Sequence, residues 1–176
     1  MNPPESRPLT PIQFAPIGVV HSPHKRATGT PIQPCLAGES PGHILLREEF
    51  AAGLADLAGF DRIWLIYWFD RAAAAKMRVV PYGDSVEHGL FATRAPARPN
   101  PIGLSCVRLL SIEGPVLKLA EVDILDGTPL LDIKPYSSIF DCFPDARNGW
   151  QERVDKDTRD KLGRRGYRGN ARWSND

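Results

Sequence analysis

Three segments carry residue types at spacings that suit ligand chemistry. The first runs Ala92-Thr93-Arg94-Ala95-Pro96-Ala97-Arg98-Pro99-Asn100-Pro101-Ile102-Gly103. Each proline fixes its own φ and holds the preceding residue extended, so this stretch makes a rigid loop rather than a ladder strand. Such a loop presents two guanidinium groups, Arg94 and Arg98, either of which could grip a carboxylate or phosphate through paired hydrogen bonds. The plainer alternative is a turn with surface arginines. The second segment, Val122 to Tyr136, embeds Asp123, Asp126 and Asp132 in otherwise apolar sequence. A buried acid needs a partner. Asp132 and Lys134 are two apart and share one face of a strand, so they can pair with each other, while Asp126 can simply form the Asp-Gly turn. The third segment is Gly29-Thr30-Pro31-Ile32-Gln33-Pro34, where Gln33 could bond a base edge or a ligand amide.

Several chemistries find no support. His21, His24, His43 and His88 have no metal-ligand spacing, and Cys35, Cys106 and Cys142 form no CxxC pair, so no metal site is indicated. Ser105 and Ser111 lack a nucleophile-elbow context. No GxGxxG follows the first strand. The formal net charge of +1 does not announce nucleic-acid binding. The basic residues are nevertheless concentrated: Lys161, Arg164, Arg165, Arg168 and Arg172 stand in a stretch without an acid, beside Tyr167 and Trp173. That stretch can contact phosphates or remain a solvated tail. The apolar run from Ile63 to Phe69 is too short to span a bilayer, the polar N-terminus does not resemble a signal peptide, and the thiols point to a reducing, cytoplasmic setting.

The elements that must position these segments are mostly strands. Phe14–His21, His43–Arg47, Arg62–Phe69, Arg78–Val80, Gly89–Ala92, Leu104–Ile112, Val116–Ile124 and Pro129–Ile133 all read as strands. The run from Arg62 to Phe69 reads as a central strand buried on both faces. Phe50, Leu54 and Leu57 give Glu48–Leu57 helical spacing with Gly59 as its stop, Ala72–Ala75 suits a helical turn, and Gln151–Leu162 suits a polar helix. Asp126-Gly127 signals a hairpin or tight turn. The order lacks repeated βαβ units, so the expected fold is mainly β: a mostly antiparallel barrel or curled sheet with one or two short helices. Residues 1–13 read as a flexible leader, 14–150 as one domain, and 151–176 as a polar, basic C-terminal tail.

Taken together, the three segments resemble the TrmO/YaeB family. The resemblance rests on Ile17-Gly18-Val19-Val20-His21-Ser22-Pro23, the Pro31-Ile32-Gln33 loop, the Trp64–Phe69 strand and Phe91-Ala92-Thr93-Arg94. It continues through Arg98-Pro99-Asn100-Pro101-Ile102-Gly103-Leu104-Ser105 and Leu125-Asp126-Gly127-Thr128-Pro129, leading to Asp132-Ile133-Lys134-Pro135-Tyr136. It covers roughly residues 14 to 150. One departure stands out: Asp70-Arg71 occupies a place where the family pattern has histidine.

This resemblance implies a single-sheet β-barrel that binds S-adenosyl-L-methionine (SAM), forms a homodimer, and methylates N6 of N6-threonylcarbamoyladenosine beside the anticodon of tRNA. It implies a cofactor pocket lined by Pro31, Ile32, Gln33, Asp70, Arg71, Arg94, Leu104 and Leu125 to Thr128, including Asp126 and Gly127. Within it, Arg94 suits the cofactor carboxylate, Ile32 and Leu104 the adenine, and the 125–128 carbonyls or the Asp126 carboxylate the cationic groups. Asp126 and Asp132 are the candidate bases, and Arg98, Asn100, Lys134 and Tyr136 the candidate substrate contacts. SAM binding with a different methyl acceptor, or in a regulatory role without catalysis, is the competing expectation.

Overall fold

A computed structural model describes residues 10–82 and 84–154. Among the described residues there are eight strands: β1 (Gly18–His21), β2 (Gly42–Leu46), β3 (Arg62–Trp68), β4 (Arg78–Val79), β5 (His88–Gly89), β6 (Ile102–Glu113), β7 (Val116–Ala120) and β8 (Thr128–Pro135). Six of them close into an antiparallel barrel in the order β1-β2-β7-β6-β3-β8, with β8 returning to pair with β1. Strands β4 and β5 make a separate two-stranded sheet. Closure removes the unpaired sheet edges that an open six-stranded sheet would expose.

Period-two alternation fills the barrel. Val20, Ile44, Leu46, Ile63, Leu65, Val107, Leu117, Leu119 and Leu130 point inward and are almost wholly buried. Burial of each such side chain contributes roughly 1.5–3 kcal/mol. On β3 only this inner face is fully buried. Trp64 and Ile66 on the outer face are half-covered, and Trp68 is exposed. The expected double-sided burial is corrected to single-sided: among the described residues the outer face of β3 is covered only in part, as where Trp64 Nε1 donates to Asp141 at 3.2 Å.

Local chemistry accounts for the other differences. Glu48–Leu54 and Leu57–Gly59 are 3₁₀ turns rather than one α-helix, since Asp56 enters the left-handed region at φ 64° and interrupts the helical path. Ala72–Ala75 forms no helical turn. The one α-helix among the described residues is α1 (Ser138–Asp141). Gly149–Arg153 is a 3₁₀ turn, and the rest of the expected polar helix lies outside the described residues, as does most of the leader. Strand β7 stops at Ala120 because Glu121 turns left-handed at φ 63°. Asp126-Gly127 does form a tight turn, with Gly127 at φ 78°. It is not a hairpin, since β8 pairs with β1 and β3 and never with β7.

Candidate functional site

The proline-rich loop and the long early loop meet at one mouth of the barrel. Arg98 fixes the first loop from within: its guanidinium donates to the carbonyls of Thr93 (3.0 Å) and Ala95 (3.4 Å) and lies over the Phe91 ring. Thr93, buried, donates its hydroxyl to Leu90 and accepts from the Ala95 amide. Arg94 is thereby aimed at the early loop, where it donates to Gln33 Oε1 at 2.6 Å. Gln33 in turn donates to the Ile32 carbonyl. Two loops separated by some sixty residues are thus joined by one arginine–glutamine contact (|i−j| = 61).

Beneath that contact lies a recess of about 200 Å³. It is lined by Ile32 and Gln33 from one loop, Thr93, Arg94 and Arg98 from the other, and Ile102, Gly103 and Leu104 of β6. Tyr67, Phe69 and Asp123 complete it. Gly103 is required here: a Cβ at this position would lie 2.2 Å from the Tyr67 ring. The Tyr67 hydroxyl is 3.1 Å from Ser105 Oγ, and Ser105 donates to Asp123 at 2.7 Å. Asp123 is buried, at 3% exposure. A polar chain therefore runs from the barrel interior to the recess and ends in a carboxylate.

A second, larger groove of about 490 Å³ adjoins the first and shares Gln33 and Arg94 with it. Its other walls are Pro34, Cys35, Gly38 and Glu39 and, on the outer barrel face, Arg62, Trp64, Cys106 and Glu121. Arg62 donates to both carboxylate oxygens of Glu121, at 2.8 and 3.0 Å. That bidentate pair restrains the left-handed Glu121, a conformation that costs about 1–2 kcal/mol in a non-glycine residue. Burial pushes the Cys106 thiol up, so it meets the groove protonated.

The sequence-predicted residues divide into groups. Ile32, Gln33, Arg94, Arg98 and Leu104 converge on the recess. Pro31 is buried beside them in the chain. Asp70, Arg71 and the Leu125–Thr128 turn join one another instead. Arg71 donates to Asp70 (3.2 Å), the Asp126 carbonyl (3.0 Å) and Thr128 Oγ1 (2.9 Å). Asp70 directly follows Phe69, and Leu125 comes two residues after Asp123; both Phe69 and Asp123 line the recess. Asn100 sits exposed in the proline-rich loop.

The carboxylate of Asp126 faces away from that corner. It accepts from Lys25 Nζ (2.6 Å), the Ser22 amide (3.1 Å) and His21 Nδ1 (3.3 Å). The Lys25 hydrogen bond, with help from the Ser22 amide, holds its carboxyl down to about 2. Asp132 pairs with Lys134 at 2.9 Å, the alternative that their spacing left open, on a half-exposed part of β8. Tyr136 packs against Trp64 with ring centroids 6.0 Å apart. Lys134 and Tyr136 therefore neighbour the outer groove rather than the recess.

Asp123 is one of the embedded acids for which the sequence demands a partner, but no sequence motif ties it to Tyr67 and Ser105. The available signal was parity: Tyr67 shares its strand face with Ile63 and Leu65, and Ser105 shares its face with Val107, which points polar groups into an apolar barrel.

A closed β-barrel with a cationic, partly apolar recess at one mouth and an aromatic groove beside it is a small-ligand-binding barrel. This chain belongs to the family of the tRNA-methyltransferase O N-terminal domain, whose model matches residues 19–142. It is 50% identical over 142 residues to a probable S-adenosyl-L-methionine-binding protein of Pyrococcus abyssi, covering 81% of this chain and 77% of that protein. It is 36% identical over 148 residues to the tRNA (adenine(37)-N6)-methyltransferase of Escherichia coli, covering 78% of this chain and 63% of that enzyme. The crystal structure of TrmO from Pseudomonas aeruginosa superposes with a TM-score of 0.71 at 38% identity, over 84% of this chain and 64% of that one. The chain thus spans just under two thirds of these two bacterial proteins.

Proposed function

We propose that this protein is a SAM-dependent methyltransferase that modifies N6 of adenine in tRNA, and that its substrate is N6-threonylcarbamoyladenosine beside the anticodon. The observation that carries this reading is the recess itself. Two guanidinium-bearing residues, three aliphatic side chains and a cradle that only glycine leaves open meet at one barrel mouth. Those residues fit SAM. Arg94 is placed to pair the carboxylate, and Ile32 and Leu104 are placed to hold the adenine ring between apolar surfaces. The Asp70-Arg71 and Leu125–Thr128 corner closes the adjoining wall through the three hydrogen bonds of Arg71.

The bound cofactor supplies an electrophilic methyl group on a sulfonium. The protein's share is orientation, because an in-line displacement depends chiefly on alignment of donor and acceptor. The outer groove suits the acceptor: Trp64 offers a face on which a nucleobase can stack, an interaction worth about 1–3 kcal/mol per base. Gln33 and Arg94 border both cavities, so the two reactants would meet across them. Arg98, Asn100, Lys134 and Tyr136 remain the candidate contacts to the rest of the RNA. Asp132, paired with Lys134 on a half-exposed part of β8, remains a candidate base. Asp126, ionised to about pH 2 and engaged three ways, is better suited to bracing the turn.

We further propose a cytoplasmic homodimer. Trp68 pairs with Ile102 and Ile66 with Leu104 across β3 and β6. Trp68, Ile102 and Leu104 are exposed, forming an apolar strip that runs from the recess lining outward and that a second copy can cover.

The second reading, SAM binding with another acceptor or without catalysis, is favoured by the description of the P. abyssi relative as a binding protein. Incubation with methyl-labelled SAM and two matched tRNAs, with and without threonylcarbamoyladenosine, separates the readings. Label on the modified tRNA alone supports the proposal. Cofactor binding without label on either tRNA favours the second reading.

A further inference from the structure

Trp150 joins the C-terminal part of the chain to the rim of the recess. Its indole Nε1 donates to the Ala92 carbonyl at 2.8 Å, and its ring stacks on His88 with centroids 4.7 Å apart. Asp84 in turn fixes the His88 ring through a contact of 2.9 Å. Ala92 stands two residues before Arg94, which borders both cavities. Arg147 and Arg153, on either side of Trp150 in the chain, are exposed. The reading above gives this clasp no role.

Beyond Val154 the composition changes. Residues 155–160 set three acids against two bases, whereas Lys161, Arg164, Arg165, Arg168 and Arg172 follow with no acid among them. Gly163, Gly166 and Gly169 recur at every third place, and Tyr167 and Trp173 are interleaved. This stretch lies outside the described residues, but the point from which it departs is described. Lys161 stands eleven residues after Trp150, so at most about 40 Å of chain separates it from the clasp. Arg94 and the two cavities it borders fall within that reach. Cations interleaved with glycine and aromatic residues suit a phosphate backbone and unstacked bases. The aliphatic content of residues 161–172 is Leu162 and Ala171 alone, too little to bury in a bilayer.

We propose that residues 161–172, anchored by Trp150 at the barrel mouth, hold the RNA substrate by its phosphates. This rests on tRNA being the substrate. Phosphate contacts fix position and carry no sequence information, so base recognition stays with the groove. The anchor makes the second contact to one RNA intramolecular, which raises its effective concentration.

The test is fluorescence anisotropy of labelled tRNA, with and without threonylcarbamoyladenosine, titrated with the full chain at several salt concentrations. One variant combines Lys161→Gln, Arg164→Gln, Arg165→Gln, Arg168→Gln and Arg172→Gln. It is expected to bind both tRNAs roughly 10-fold or more weakly, and to reduce the slope of log affinity against log salt by up to about 4. Its SAM affinity, read by calorimetry, should equal that of wild type, which shows the barrel intact. Trp150→Ala keeps all five cations and should weaken tRNA by roughly 5-fold with the steep slope retained. Unchanged tRNA affinity and slope in the five-site variant would overturn the proposal. So would a loss confined to the threonylcarbamoylated tRNA, which would mark base recognition, or wild-type tRNA affinity in Trp150→Ala. Binding of wild type to phosphatidylserine vesicles that the five-site variant loses, with tRNA binding unchanged, would assign the segment to a membrane instead. A wild type that binds tRNA through these cations yet transfers no methyl group to it would refute the methyltransferase reading and leave this one standing.

Discussion

Replacing Gly103 by alanine tests whether the recess is shaped by the close approach of Tyr67 to β6. The new Cβ would lie 2.2 Å from Cε2, 2.3 Å from Cζ and 2.7 Å from Cδ2 of the Tyr67 ring. Ordinary contact begins near 3.4 Å, so the ring must retreat by roughly 1 Å. Tyr67 is 3% exposed, meets Phe69 edge-on with centroids 5.1 Å apart, and has its hydroxyl 3.1 Å from Ser105. A retreat of that size cannot keep both contacts. Overpacking costs about 1–3 kcal/mol, and losing the buried hydroxyl's partner adds about 1 kcal/mol. The lower backbone entropy of alanine in the unfolded chain returns about 0.4–1 kcal/mol. The expected net destabilisation is about 2–3 kcal/mol. With a slope of about 1–3 kcal/mol per molar urea, the unfolding midpoint should fall by about 1 M at unchanged slope. The same substitution in a Tyr67→Leu background should cost less than about 1 kcal/mol, because the ring is gone. A Gly103→Ala protein of wild-type stability, or an equal cost in both backgrounds, would refute the packing argument.

Four further outcomes follow from the site. Arg71→Ala removes three hydrogen bonds that tie Asp70 to the 126–128 turn; calorimetry should show SAM affinity reduced by roughly 10-fold, with stability lowered by about 1 kcal/mol on this partly exposed residue. The depressed Asp126 carboxyl contributes stability above its unfolded value near 3.8 and loses it as pH falls toward about 2. Acid unfolding should therefore begin in that window, and Asp126→Asn should flatten it by about 1 kcal/mol, discounted for the exposed Lys25. His43 is held below its usual value by burial, then by His21 and Lys118; the unfolded chain binds that proton first, so stability should decline as pH drops below 6.5, a slope that His43→Gln should remove in pH-resolved thermal melts. Trp150→Phe loses the Nε1 bond to the Ala92 carbonyl (2.8 Å) while keeping a ring against His88; a loss of about 1 kcal/mol is expected in urea melts.

The barrel class was legible because many strand-like segments follow one another without repeated βαβ units; which face points inward was not, since the continuous apolar run of β3 hides the single inner face carried by Ile63, Leu65 and Tyr67. The placing of Arg94 and Gln33 in one pocket came from the family resemblance; the residues alone offered a proline-stiffened loop with two arginines and, separately, a glutamine in an irregular loop, and nothing that joined them. What the one-dimensional pattern left open was pairing between distant elements. Asp126-Gly127 looks like a hairpin because both flanks are apolar, yet β8 closes the barrel against β1. Glu48–Leu57 has helical spacing, but nothing in the spacing reveals that Asp56 takes a left-handed conformation. Among three aspartates in apolar sequence, only the tertiary fold separates Asp126, met by His21 at the end of β1 and by Lys25 just after it, from Asp123, which lines the recess. Which acid finds which partner depends on contacts roughly one hundred residues apart (|i−j| = 105 for His21–Asp126).

A crystal structure with S-adenosylhomocysteine bound tests the central claim most directly. The account predicts the ligand in the recess between Ile32 and Leu104, with its carboxylate at Arg94. A ligand seated in the Trp64 groove, or anywhere away from the junction of the two loops, would contradict it.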